Sequence, residues 1–182
     1  MQCIPPPRKW SRPPLQAGSA AAAAFVANVR AAVAQIHANA RAAAIGRNPE
    51  HLHQLRVGIR RLRSTLRAFR GLVRRRRARR FDRELRTMLR SMGAVRDWDA
   101  FLHARFSPAL RQAALSHRAM AQRSMRNVVT PQRLSSLLRR LLIWTRDEPW
   151  RESADPEEPV GDFGARALRR LLWTIPLLAR TR

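Results

Sequence analysis

A row of basic side chains at helical spacing is the feature of this sequence best suited to chemistry. The segment HQLRVGIRRLRSTLRAF, residues 53–69, contains arginine and histidine but no acidic residue. Basic residues recur here at intervals of three and four, at His53, Arg56, Arg60, Arg63, Arg67, Arg70 and Arg74, which we call the basic stripe. Because an α-helix turns once per 3.6 residues, these side chains would share one face. Like charges at this spacing destabilise an isolated helix, so the stripe predicts a bound anion that relieves the repulsion.

The whole chain is strongly basic. It carries 37 lysine and arginine residues against 12 acidic ones, a formal net charge of +25. This charge predicts a polyanionic partner such as nucleic acid, an anionic membrane surface or inorganic polyphosphate. Lys9 is the single lysine, and the planar fork of arginine binds phosphate oxygens in pairs. A GC-rich genome would also favour arginine over lysine, but it would not explain the scarcity of acids.

No catalytic centre is evident in the sequence. Asp97 and Asp99 could form a catalytic or metal-binding carboxylate pair. Because they follow Arg96 in an arginine-rich region, we favour a structural role in which they form ion pairs that orient the stripe arginines. The histidines lack metal-ligand spacing, and we find neither a glycine-rich phosphate loop nor a serine with a recognisable base. We therefore expect a binding protein rather than an enzyme, with no metal and no other cofactor.

Apolar residues place the stripe on a helix of an all-α fold. The chain is rich in alanine, leucine and arginine and contains no tyrosine, a composition typical of helices. A first apolar seam runs one position before the stripe, at Leu52, Leu55, Ile59, Leu62, Leu66, Phe69 and Val73. A second seam, flanked by Arg79, Arg83, Arg86 and Arg90, follows at Phe81, Leu85, Met88, Met92 and Val95. Both seams predict amphipathic helices of an antiparallel bundle with a basic face.

The chain divides into a lead-in and one helical domain. Residues 1–18 are rich in proline and predict a disordered lead-in. Residues 19–178 predict the domain, whose first helix Ser19 would cap. Within it, residues 147–162 hold seven of the 12 acids and predict a loop. The lone Cys3 indicates a reducing compartment, and no window approaches the ~18 apolar residues of a membrane span, so we expect a cytoplasmic protein.

Two motifs resemble a known family. The segment HQLRVGIRRLRSTLRAF, followed further along by LRSMGAVRDWDAFL, is similar to the CHAD domain, the conserved histidine α-helical domain. The resemblance implies two helical bundles related by pseudo-two-fold symmetry around a basic cavity that binds inorganic polyphosphate. Family members are often associated with polyphosphate granules in bacteria. The residues that match the first motif are His53, Arg56, Arg60, Arg61 and Arg63, and those that match the second are Arg96, Asp97 and Asp99.

The predicted binding residues combine these motifs with the two rows of arginines. They are His53, Arg56, Arg60, Arg61, Arg63, Arg67, Arg70, Arg86, Arg90 and Arg96, with Asp97 and Asp99 as structural ion-pair residues. The basic motif that the family carries in its second half has no counterpart here. We therefore expect a fold that corresponds to the first half to two-thirds of a CHAD domain, from a truncated or frameshifted gene. Its apolar seams would be incompletely covered and would favour self-association.

Polyphosphate binding by a bacterial protein, with targeting to polyphosphate granules, is the function that the sequence favours. The main alternative is nonspecific binding of DNA or RNA by the same charge. Against it, the stripe holds no interleaved aromatic residues on which bases could stack, and no helix-turn-helix spacing is evident. A scaffold that binds a protein with another surface and a cofactor-free phosphohydrolase are further alternatives.

Overall fold

The described part of the protein is entirely helical apart from loops and one isolated bridge. The structure is a computed structural model that describes residues 5–150 and 155–174, with side chains to residue 169. Within these ranges the helices are α1 (Ala21–Ile45), α2 (Pro49–Ala68), α3 (Arg75–Ser91), α4 (Gly93–Phe101), α5 (Pro108–Val128), α6 (Pro131–Arg146) and α7 (Val160–Thr174). The bridge pairs Ala20 with Pro159. The predicted all-α class is confirmed.

The connection between α1 and α2 is built from residues with strong local preferences. Gly46 ends α1 in the left-handed conformation, with φ 77°, which glycine adopts without steric cost. Asn48 caps α2, and its side chain accepts a hydrogen bond of 2.9 Å from the backbone N–H of Glu50. Pro49 occupies the first turn, where its missing N–H costs nothing. This short connection makes α1 and α2 the hairpin on which the rest of the fold packs.

Small residues allow α1 and α2 to approach closely. A Cβ atom at Gly58 would stand 2.8 Å from Cγ1 of Ile36 on α1. A buried polar network joins the same two helices, since Nε2 of Gln35 donates to Oε1 of Gln54 at 2.8 Å. The stripe helix is therefore fixed in position against α1 by both sterics and hydrogen bonds.

Both predicted apolar seams form the core. All twelve of their residues are buried, and the most exposed of them, Phe69, keeps 8% of its surface accessible. The expectation that these seams would be incompletely covered is therefore wrong, because residues of α1 and α6 pack into the same core. The seams lie beneath α6, where Trp144 packs against Phe25 and Phe81 with ring centroids 6.0 and 5.3 Å away. The burial of these seams holds α2 and α3 in place and turns their basic residues outward.

The first seam and the stripe both continue past the end of their helix. Helix α2 ends at Ala68, and α3 begins at Arg75. Phe69 and Val73 are buried in the intervening turn, and Arg70 and Arg74 belong to the same turn. The last two stripe positions are therefore set by the turn rather than by helical periodicity.

The N-terminal segment and the acidic loop meet at the start of α1. The backbone N–H of Val160 donates to the carbonyl oxygen of Ser19 at 2.7 Å. The predicted capping role of Ser19 is wrong, because Ala20 is the N-cap residue and the Ser19 hydroxyl instead accepts from the backbone N–H of Gln16. Helix α7 begins at Val160, two residues before the predicted end of the loop. Residues 1–4, 151–154 and 175–178 of the predicted segments lie outside the described residues.

The described part of the lead-in forms no helix. Its contacts run to α1, where the backbone N–H of Arg8 donates to Oδ1 of Asn39 at 3.2 Å. In return, Nδ2 of Asn39 donates to the carbonyl oxygen of Arg8 at 2.9 Å. The disorder expected for residues 1–18 stays a prediction.

Candidate anion-binding site

The stripe follows one edge of α2 next to the buried first seam. His53, Arg56 and Arg63 are half-buried, whereas Arg60 and Arg67 are exposed. Arg56 and Arg63 contact groups of α3, whereas Arg60 and Arg67 face solvent. His53 makes no side-chain hydrogen bond within the described part of the chain, so its ring remains available to a ligand.

Arg56 connects the two sequence motifs. Its Nη1 donates to the carbonyl oxygen of Leu89 at 3.1 Å. Burial lowers the pKa of the Arg56 guanidinium from its ordinary value, Asp97 opposes this lowering, and the positive charges of Arg60 and Arg96 add to it. The fold therefore brings Arg96 and Asp97 of the second motif into the electrostatic neighbourhood of Arg56 and Arg60. A bound anion would relieve the repulsion among these three arginines.

Arg63 is held by a carboxylate of α3. Its Nε lies 2.7 Å from Oδ1 of Asp82, and its Nη2 lies 3.4 Å from Oδ2. Both side chains are largely shielded, with 14% and 25% of their surfaces exposed. This two-point contact ties α2 to α3 and uses the face of the guanidinium that would otherwise bind a phosphate.

Beyond Arg63, the stripe opens onto a concave surface at the α2–α3 turn. A groove of about 330 Å³ is lined by Arg67 and Arg70 from the stripe, by Arg75 and Arg79, and by Asp82. The arginines at this end of the stripe therefore line a concave surface that could bind a ligand by its shape as well as by its charge. Arg79 flanks the second seam, whereas Arg75 was not among the predicted binding residues, although it belongs to the arginine-rich segment 74–80.

A second and larger groove adjoins the first. It has a volume of about 720 Å³ and lies between the end of α2 and α7. Arg67, Arg70 and Arg75 border both grooves, and Arg166 of α7 is added here. The floor includes Phe163, whose ring stacks on Phe69 at 5.2 Å. The contribution of α7 could not be read from its sequence, because it depends on how that helix packs across the turn.

Three predicted binding residues have other surroundings. The guanidinium of Arg61 lies over the ring of Trp10, 4.1 Å from its centroid. One residue along a helix is a rotation of about 100°, so Arg61 and its neighbour Arg60 face different directions. Arg86 and Arg90 are exposed on α3 and form no side-chain hydrogen bond or ion pair within the described residues.

Asp97 and Asp99 do not form a carboxylate pair. Asp99 is buried, and its Oδ1 accepts from Nε of Arg118 on α5 at 2.6 Å. Its Oδ2 is buried without a hydrogen-bond partner among the described atoms. Asp97 is exposed and acts on Arg56 through its charge. Asp99 thus forms an ion pair, as predicted, but with an arginine outside the stripe.

Two arginines and a glutamine of α5 cap the C-terminus of α1. Arg118, Gln122 and Arg126 are spaced four residues apart, and each donates to carbonyl groups at the end of α1 or just after it. The shortest of these contacts joins Nε of Arg126 to the carbonyl oxygen of Ala44 at 2.7 Å. Positive charge at a helix C-terminus is stabilising, so these arginines have a structural task. Charge alone therefore does not mark a residue as part of the binding site.

The described residues contain no cluster of three side chains suited to a metal ion. They also contain no helix with the length and apolar character needed to cross a bilayer.

The family follows from comparison of the sequence. A family model, that of the CHAD domain, matches residues 27–181. The chain belongs to the CHAD domain family. The relationship that the two motifs predicted is therefore confirmed, and it covers most of the chain. No curated protein matches this CHAD protein.

A solved structure has the same fold. The crystal structure of the CHAD domain from the plant Ricinus communis is similar to this chain with a TM-score of 0.76 and 24% identity. The match covers 91% of this chain and 58% of the plant chain, so the present CHAD chain spans less than two-thirds of its relative. This share lies within the predicted half to two-thirds of a CHAD fold. The truncated or frameshifted gene stays a prediction.

Proposed function

We propose that this CHAD domain binds inorganic polyphosphate along the basic stripe of α2. The observation that supports the proposal best is the pairing of electrostatic crowding with shape. The charges of Arg60 and Arg96 both act on Arg56, and Arg67 and Arg70 line a groove further along the same helix edge. The family is associated with polyphosphate binding in general, which agrees with this arrangement.

Binding rests on charge-assisted hydrogen bonds and on ion release. Each free guanidinium presents paired N–H groups to the non-bridging oxygens of the polymer. Stripe positions are about 5 Å apart along the helix axis, so successive arginines meet successive parts of one flexible chain. Condensed counterions leave the polyanion as it binds, which makes the affinity fall steeply as salt rises.

The same interaction would recruit the protein to polyphosphate granules in a bacterial cytoplasm. We propose no reaction for the bound polymer. Asp97 is exposed and Asp99 is committed to Arg118, so this pair is not arranged for shared acid–base chemistry. Recruitment by charge needs neither a cofactor nor a catalytic group.

Apolar side chains such as Met120 on α5 and Leu168 on α7 are exposed, and copies of the chain or protein partners would associate through them.

Nonspecific nucleic-acid binding is the second candidate, and one cluster of rings favours it. Trp98 stacks on His117 with centroids 5.1 Å apart, and Phe101 stacks on Phe106 at 4.3 Å. These partly exposed rings follow Arg96 in the chain and offer surfaces for bases. They lie outside the stripe, however, so they do not alter the expectation that the stripe itself prefers a polymer without bases.

Competition binding at several salt concentrations tests the proposal. Long polyphosphate should displace duplex DNA and single-stranded RNA at equal phosphate concentration. A preference for either nucleic acid would make the second candidate the correct one. Arg60→Gln and Arg61→Gln are a matched pair, because each removes one charge from adjacent residues. Arg60→Gln should lower polyphosphate affinity several-fold more than Arg61→Gln, and equal losses would mean that total charge alone governs binding.

A further inference from the structure

The ion pair between Arg63 and Asp82 interrupts the basic stripe in its middle. Its two contacts, 2.7 and 3.4 Å long, engage both Nε and Nη2 of the guanidinium. Arg63 is also the less exposed partner, with 14% of its side chain accessible. To bind Arg63, a phosphate would have to displace the carboxylate of Asp82, which the packing of α2 on α3 holds in place. The pair therefore carries no net charge to offer a ligand.

Among the described residues, arginines without a carboxylate partner lie on either side of this pair. On one side, Arg60 follows Arg56 by one turn on the same face of α2, and the charge of Arg96 on α4 acts on Arg56; we call these three residues the motif subsite. On the other side, Arg67, Arg70, Arg75 and Arg79 line the 330 Å³ groove, which we call the turn subsite. Asp82 also lines the turn subsite and places its carboxylate at the boundary. Two clusters of positive charge are thus separated along the helix by the Arg63–Asp82 ion pair, which has no net charge.

We propose that Asp82 divides the stripe into two anion-binding subsites, which a long polyphosphate bridges and a short one occupies singly. This proposal rests on the proposed function and adds the chain-length dependence of the ligand. Arg60 and Arg67 are about 10 Å apart along α2. A polymer that spans this interval binds the second subsite as an intramolecular event, with a high effective concentration. A short phosphate chain cannot reach both subsites, so each subsite binds a separate molecule independently.

The stoichiometry of inorganic tripolyphosphate tests the division directly. Isothermal titration calorimetry of the full chain should give two molecules bound per chain. Arg60→Gln combined with Arg96→Gln should leave one, at the turn subsite. Arg67→Gln combined with Arg70→Gln should also leave one, at the motif subsite. Long polyphosphate should lose most of its affinity advantage over tripolyphosphate in both variants. One molecule or none bound to the unmodified chain would overturn the division.

Two charge-conserving double variants test the role of Asp82. Arg63→Gln with Asp82→Asn replaces the ion pair by two neutral polar side chains, and we expect the affinity for long polyphosphate to stay within about twofold. Arg60→Gln with Glu84→Gln changes net charge by the same amount, namely zero, but removes a free arginine. Glu84 pairs with Arg140 and Arg80 and takes no part in the stripe. This control should lose roughly three- to tenfold in affinity, the effect of one charge-assisted contact at moderate salt.

The outcomes separate this inference from the proposed function. If long polyphosphate does not bind the unmodified chain, the proposed function is wrong. If it binds but the Arg63→Gln/Asp82→Asn variant loses as much affinity as the control, Arg63 contacts the ligand and the inference alone is wrong. Asp82→Asn by itself adds a check, since it should raise affinity more than Glu84→Gln does. An equal rise would also overturn the inference.

Discussion

The guanidinium of Arg56 donates a hydrogen bond to the carbonyl oxygen of Leu89, at 3.1 Å. Leu89 belongs to the last turn of α3, where the helix dipole places partial negative charge on carbonyl groups. A residue of the basic stripe therefore caps the C-terminus of a neighbouring helix. The half-buried position of Arg56 links binding to fold stability, whereas the exposed Arg60 is available for binding alone.

Replacing Arg56 should affect both properties. Arg56→Gln should lower the free energy of unfolding by about 1 kcal/mol, because it removes a hydrogen bond to a helix terminus. It should also weaken polyphosphate binding. Arg60→Gln should weaken binding while changing stability by no more than about 0.5 kcal/mol. Urea unfolding monitored by circular dichroism and polyphosphate titration measure the two effects, and equal stability of both variants would show that the Leu89 contact contributes nothing.

The close packing of α1 on α2 predicts an effect of a single methyl group. Gly58→Ala should destabilise the protein by about 1–3 kcal/mol, because its Cβ would stand 2.8 Å from the fully buried Ile36 side chain. Gly93→Ala is the control, since no atom from another part of the fold lies within 4 Å of the position that its methyl group would take. It should be neutral or stabilising by up to about 1 kcal/mol. Thermal unfolding of both variants measures these changes in stability. A Gly58→Ala protein as stable as the unmodified one would mean that α1 and α2 can move apart enough to accommodate the methyl group.

The two aspartates of the second motif should respond differently. Asp99→Ala leaves Arg118 without its carboxylate partner and should cost about 2–3 kcal/mol of stability. Asp97→Ala should change stability by less than about 0.5 kcal/mol. It should also modestly raise polyphosphate affinity, because it removes a negative charge near Arg56. Unfolding measurements with and without Mg²⁺ check this, and a Mg²⁺-dependent stabilisation lost in both variants would instead indicate a metal-binding pair.

The contact between Arg61 and Trp10 gives a test of the N-terminal lead-in. Trp10→Ala should speed tryptic cleavage at Arg8 and Lys9 several-fold, because it removes a cation–π contact that holds the segment on α2. Polyphosphate affinity should not change. Limited proteolysis followed by mass spectrometry measures the rates. Equally rapid cleavage of the unmodified protein would support the disorder that the proline-rich composition predicts.

Helical periodicity explains why much of the architecture was readable from the sequence. Side chains three and four residues apart share a helix face whatever the rest of the chain does. The two apolar faces were therefore predictable, but their complete burial was not, because it depends on how α1 and α6 pack over them. Ser19 was misjudged because capping depends on the path of the chain before the helix, and here that path is set by pairing with the acidic loop.

The roles of the individual basic residues could not be predicted in the same way. Arg63 meets Asp82 and Arg118 meets Asp99 across nineteen positions of sequence, and Arg56 meets Leu89 across thirty-three. Each contact depends on where two helices cross. The sequence by itself determined the helices, their buried faces and the alignment of the stripe, because these follow from local spacing. Only the tertiary structure decided which arginines remain free for an anion, since a guanidinium is neutralised by whatever carboxylate or carbonyl the packing brings to it.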